Sequence, residues 1–70
     1  MRFDVSEFGN RIRMYRGYRD MTQGELAVKV GVNITTIVKY EDGSMVPGAD
    51  KVFAIADALG CTPSGLMGWK

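Results

Sequence analysis

Apolar side chains recur every three or four positions along this chain, the spacing of helices that bury one face, and no segment shows the strict alternation of a strand. Phe8, Ile12 and Tyr15, followed by Arg19, predict a first helix from about Ser6 to Arg19, with Ser6 and Glu7 supplying its start and Asp20 interrupting the pattern. Thr22 with Glu25 three residues on is a capping box, and Leu26, Ala27 and Val30 form the stripe behind it up to Gly31. Asn33 is a strong N-cap for a third helix that turns Ile37 and Tyr40 inward and ends at Asp42 and Gly43. After a loop of Ser44, Met45, Val46, Pro47 and Gly48, the apolar set Val52, Ile55, Ala56 and Leu59 marks a fourth helix up to Gly60. Thr62 and Pro63 are a cap and first-turn pair for a short last helix ending near Trp69. The expectation is an all-α fold of five helices and one domain over residues 1–70.

Composition bounds what such a domain can do. With 46% hydrophobic and 24% charged residues the chain has an ordinary globular balance, although a domain of 70 residues buries only about 60% of the surface its unfolded chain exposes. A single cysteine and no histidine remove disulfides and metal clusters as supplements to that small core, which leaves a partner chain. Cys61 reads as a small buried hydrophobe, and a lone free thiol suits a reducing cytosol. No apolar run approaches the roughly 18 residues of a membrane span. Met1 to Asn10 carries Asp4 and Glu7 where a signal peptide would be basic and then apolar. The expectation is a soluble, cytoplasmic protein with no membrane partner. Its net charge of +1 is unevenly spread, +3 over residues 1–40 and −2 over residues 41–70, so the first half is the candidate phosphate-facing half.

Function is concentrated in Thr22 to Gly43. Two short helices joined by a tight turn at Gly31 must cross steeply, because so few residues cannot reverse the chain into an antiparallel hairpin. One face of the second of them is then pushed out of the globule. Asn33, Ile34, Thr35, Val38 and Lys39 take the outward positions, and a helix so exposed fits the major groove of double-stranded DNA. Enzymatic readings fare poorly. No nucleophile–base pair, metal-ligand cluster or cofactor motif is present, and Gly43 to Gly48 lacks the lysine of a phosphate loop. No small-molecule ligand is indicated.

An ordered set of short motifs makes the reading more specific. Ile12-Arg13 with Arg16, Thr22-Gln23-x-Glu25-Leu26-Ala27, Gly31-Val32, Thr36-Ile37, Tyr40-Glu41-Asp42-Gly43, Pro47, and Ile55-Ala56 with Leu59-Gly60 follow one another at fixed spacing. Together they resemble the Cro/C1-type, XRE-like helix-turn-helix family of phage and bacterial transcriptional regulators. The resemblance covers about residues 8–67. It implies a compact lambda-repressor-like fold and a DNA-binding regulator, a repressor on a palindromic operator. It also implies that Ile34, Thr35 and Lys39 contact bases, with Thr35 on a base edge, Lys39 on guanine or a phosphate, and Ile34 on a thymine methyl. Gln23, Asn33, Thr36, Arg11 and Ser44 would face phosphates, and Arg16 with Glu41 would form an internal ion pair. The chain departs from the pattern in three places. Ser44, Met45 and Val46 replace a basic loop, Val28 and Val38 put apolar surface where polar residues are usual, and Gly24 weakens the second helix by up to about 1 kcal/mol relative to Ala.

Leu66, Met67 and Trp69 form an apolar cluster in a segment whose glycines, Gly65 and Gly68, make a poor helix unless packing holds it. They are the expected interface of a symmetric homodimer, extended by Met45, Val46 and Phe53, with operator half-sites roughly 34 Å apart. The competing expectation is that Leu66 and Trp69 cap the monomer's own core, and for Leu66 inward packing carries more weight. Low net charge, with Val38, Met45 and Val46, also leaves open a protein-interaction module that keeps the fold without binding DNA, or an antitoxin-type autoregulator.

Overall fold

The computed structural model describes residues 4–68, the side chain of Val5 excepted. Five helices follow in order: α1 (Val5–Tyr18), α2 (Gln23–Val30), α3 (Ile34–Asp42), α4 (Ala49–Leu59) and α5 (Pro63–Met67), with no strand among the described residues. α1 starts one residue earlier than the pattern of Ser6 and Glu7 indicates, because Asp4 is the cap. Its carboxylate accepts the Ser6 and Glu7 N–H groups at 3.0 and 3.3 Å. α1 ends where Asp20 takes the left-handed conformation, φ 52°, which a short polar side chain tolerates.

The stripes read from the sequence meet in one core. Phe8 and Ile12 from α1, Leu26 and Ala27 from α2, Ile37 and Tyr40 from α3, Val52, Ile55, Ala56 and Leu59 from α4, and Leu66 from α5 are all buried. Burial of each larger aliphatic or aromatic group is worth about 1.5–3 kcal/mol, so loss of any one is a sizeable fraction of a small domain's stability. α1 lies against α3 and α5, and α2 lies between α3 and α4. Leu66 is completely buried, which removes it from the expected dimer interface: a side chain that fills its own protomer's core cannot present surface to another. Met67 is partly buried against the same core, and Trp69 lies outside the described residues. Cys61 is only partly buried, and that burial holds its thiol above the ordinary range.

Two features of the packing are invisible in the periodicity. Gly9 on α1 sits against the backbone of α3, where an added Cβ would lie 2.7 Å from the Glu41 carbonyl carbon and 2.9 Å from the Tyr40 oxygen. The two helices cross that closely because Gly9 has no side chain. Arg19, which the spacing places at the end of the α1 stripe, instead donates Nε to the Leu59 carbonyl at 2.8 Å and Nη2 to that of Gly60 at 3.0 Å. It thereby satisfies carbonyls that the end of α4 leaves without intrahelical donors.

Candidate nucleic-acid interface

α2 and α3 are built as sharply bounded units. Thr22 accepts the Glu25 N–H at 3.0 Å while Glu25 accepts the Thr22 N–H at 2.9 Å, the reciprocal pair expected of a capping box. Gly31 at φ 85° ends α2, and Val32 and Asn33 complete a turn short enough to fix the crossing of α2 and α3. Asn33 then caps α3 by accepting the Thr35 N–H at 2.9 Å.

The inward side of α3 carries Ile37, Tyr40 and Glu41; the outward side carries Ile34, Thr35, Val38 and Lys39, all exposed, with Thr36 half-buried at the flank. What pins this helix is a polar cluster. Glu41 is 3% exposed and receives Arg16 through two bonds, Nε to Oε2 at 2.6 Å and Nη2 to Oε1 at 3.0 Å. Arg16 spends its third nitrogen on the Met21 carbonyl at 2.9 Å, so α1, the α1–α2 turn and α3 are tied at one point. Gln23 joins them, its Nε2 donating to Glu41 Oε1 at 3.0 Å.

That last bond changes the part Gln23 can play. Its side chain is partly buried and already engaged, so its amide is held in a fixed direction beside the N-terminus of α2. There the backbone N–H groups of Gln23 and Gly24 lie ahead of the first intrahelical bond, and a groove of about 370 Å³ opens, lined by Arg13, Arg16, Gly17, Asp20, Met21, Thr22 and Gln23.

Arg11 and Ser44 both have partners within the protein. Arg11 reaches 3.7 Å from Glu7 and 3.5 Å from the Met67 carbonyl, on the side of α1 that meets α5 and away from the α2 groove. The arginines at the groove are Arg16 and Arg13, and Arg13 Nη1 donates to the Glu41 carbonyl at 2.8 Å at the end of α3. The sequence held the signal: Arg13 and Arg16 are three residues apart and share a face, whereas Arg11 does not. Ser44 gives both its hydroxyl, at 2.6 Å, and its N–H, at 2.8 Å, to Asp42. These bonds, the hydroxyl's first, hold the Asp42 carboxyl below its usual range.

A short helix capped at both ends, crossing a second across a three-residue turn with one face left outside the core, defines a helix-turn-helix domain. The chain belongs to the helix-turn-helix domain family, which it matches over residues 7–66, and within it to the Cro/C1-type regulators. It is 41% identical over 56 residues to an HTH-type transcriptional regulator of Sinorhizobium fredii, spanning 80% of this chain but 39% of that protein. With the cryptic phage CTXphi transcriptional repressor RstR of Vibrio cholerae it shares 33% identity over 58 residues, 83% of this chain and 52% of the relative. The chain therefore spans about half the length, or less, of these two relatives. Among solved structures, the restriction-modification controller protein C.AhdI of Aeromonas hydrophila superposes with a TM-score of 0.87 at 27% identity, over 90% of this chain and 96% of that one. The P22 c2 repressor in complex with a synthetic operator gives 0.83 at 30% identity, with the same coverage.

Proposed function

We propose that this chain is the DNA-binding part of a transcriptional regulator, a repressor that inserts α3 into the major groove of a specific operator. The observation that carries this reading is the division of α3. Its inner face is locked by Ile37, Tyr40 and the Arg16–Glu41–Gln23 cluster, while Ile34, Thr35 and Lys39 remain exposed on its outer face. A rigid helix holding an outward face without a core partner is what base recognition requires. Thr35 and Lys39 supply hydrogen bonds to base edges. The N-terminus of α2, with Gln23 and Arg13, receives a backbone phosphate, helped by the partial positive charge of that helix end. Asn33 and Thr36, at the start of α3, flank the groove wall.

The working unit in this reading is a homodimer on a two-fold symmetric site, since one small module buries little DNA surface. With Leu66 withdrawn into the core, an apolar surface available to a second copy among the described residues is the shallow groove of Ala49, Val52, Pro63 and Met67 beside exposed Phe53. The testing experiment is a fluorescence polarisation titration of the chain with random and selected duplexes across a salt series. Association that weakens steeply with salt, and a selected duplex bound more tightly than random DNA, are the expected results. Salt-independent binding, or none, overturns the reading in favour of a protein-interaction module.

A further inference from the structure

We propose that Glu41 is the positioning residue of the phosphate contact at the start of α2, its carboxylate turning the Gln23 amide so that an N–H is presented to the DNA backbone. This rests on the DNA-binding reading above and assigns what sets one of its backbone contacts.

The two ends of a glutamine amide have almost the same size and shape, so hydrogen-bond partners alone decide which end points where. Only the NH2 end can bond a backbone phosphate, which carries acceptors and no donor. Glu41 makes that choice. Its carboxylate accepts and does not donate: Oε2 takes Arg16 Nε at 2.6 Å, and Oε1 takes Arg16 Nη2 and Gln23 Nε2, each at 3.0 Å. A reversed amide would press its carbonyl oxygen against a buried carboxylate oxygen, a repulsion that little solvent screens.

No other group competes for the amide. Gln23 Oε1 has no hydrogen-bond partner among the described residues. Ile34, at the start of α3, has its Cδ1 3.7 Å from the point where a Cβ on Gly24 would stand, and it offers no polar atom. With one Nε2 hydrogen on Glu41, the second remains for a ligand in the groove that Gln23 lines, beside the backbone N–H groups of Gln23 and Gly24. Glu41 holds the other wall of that groove too, since its carbonyl accepts Arg13 Nη1 at 2.8 Å. A buried residue at the end of α3 thereby orients polar groups on both α2 and α1.

The test replaces Glu41 by glutamine, which keeps the shape of the side chain and leaves the backbone bond to Arg13. With its oxygen on Arg16 Nε, the new amide turns its NH2 toward Gln23, whose own amide must then reverse. Polarisation titrations use the selected duplex, random DNA, and selected duplexes carrying one uncharged methylphosphonate at successive backbone positions. Gln23→Ala identifies its phosphate, the position where neutralisation abolishes the loss that variant otherwise shows. Glu41→Gln should weaken selected and random DNA alike, about tenfold, and its loss should vanish at that same phosphate and persist at the others. Circular dichroism at the titration temperature corrects for any unfolded fraction. A loss equal at every position, as a merely structural role gives, overturns the inference, and so does unchanged affinity. If Glu41→Gln does not fold, the parent decides: by NMR the side-chain NH2 of Gln23, the one glutamine of the chain, should be protected from exchange with water, and the exchange of a freely solvated amide overturns the inference. Absence of salt-dependent binding to any duplex defeats the DNA-binding reading and this inference with it.

Discussion

Replacing Arg16 by alanine tests whether the polar cluster beneath α3 holds the recognition helix. Glu41 is 3% exposed and the Arg16 side chain 17%, so neither is screened as a surface pair would be. Arg16→Ala removes two charge-assisted bonds, of 2.6 and 3.0 Å, and the 2.9 Å bond to the Met21 carbonyl, leaving Glu41 with the amide of Gln23. Breaking a buried pair from one side costs about 3–5 kcal/mol, because the remaining charge stays desolvated. A domain of 70 residues has a total stability of roughly 3.5–10 kcal/mol, so the loss takes between about a third of that stability and all of it. The loss corresponds to a fall in Tm of roughly 12–40 °C at about 4–8 °C per kcal/mol. Circular dichroism melts and urea titrations of the two proteins measure it directly. A double variant, Arg16→Leu with Glu41→Leu, should be more stable than Arg16→Ala, since apolar replacement leaves no unpaired charge. A cooperative Arg16→Ala fold within about 1 kcal/mol of the parent would refute the argument, because that is the range of exposed pairs.

The glycines of α1 should respond in opposite directions. Gly9→Ala forces a Cβ onto the α3 backbone and should cost about 1–3 kcal/mol or more, whereas Gly17→Ala meets no atom within 4 Å and should stabilise by about 0.5–1 kcal/mol; urea midpoints distinguish the two. Acid should loosen the helix ends. Glu25 is held below its usual 4.5 chiefly by the Thr22 N–H, and Asp4 below 3.8 chiefly by the Glu7 N–H, with Asp42 lowered by Ser44. Folded values below unfolded ones mean stability that is present above pH 4.5 and lost as pH falls through the folded values, so Tm should decline from about pH 5 downward and Glu25→Gln should flatten that decline. Lys39→Ala and Thr35→Ala should reduce affinity for the selected duplex more than for random DNA while leaving stability within about 0.5 kcal/mol; equal losses on both duplexes would remove α3 as the reader.

Much of this protein is local, and its sequence states it. The capping box at Thr22 and Glu25, the Asn33 cap and the left-handed Gly31 and Gly43 act within a few residues, so the bounds of α2 and α3 follow from their own chemistry. Periodicity likewise separates Ile37 and Tyr40 from Thr35 and Lys39, because one helix face must meet the core. Which polar groups meet across the fold is a different kind of fact. Arg11, Arg13 and Arg16 on α1 and Arg19 at its C-cap are four arginines close in sequence, and only the tertiary packing assigns them: Arg16 to Glu41, Arg13 to the end of α3, Arg19 to the end of α4, Arg11 toward Met67. Gly9, which reads as a weak helix residue, is the point where α1 and α3 touch through their backbones, and Leu66 fills a core that four other helices enclose. Long, flexible side chains and missing ones take their roles from neighbours distant in sequence. A local pattern carries the shape of each helix, and the tertiary structure alone decides what stands opposite it.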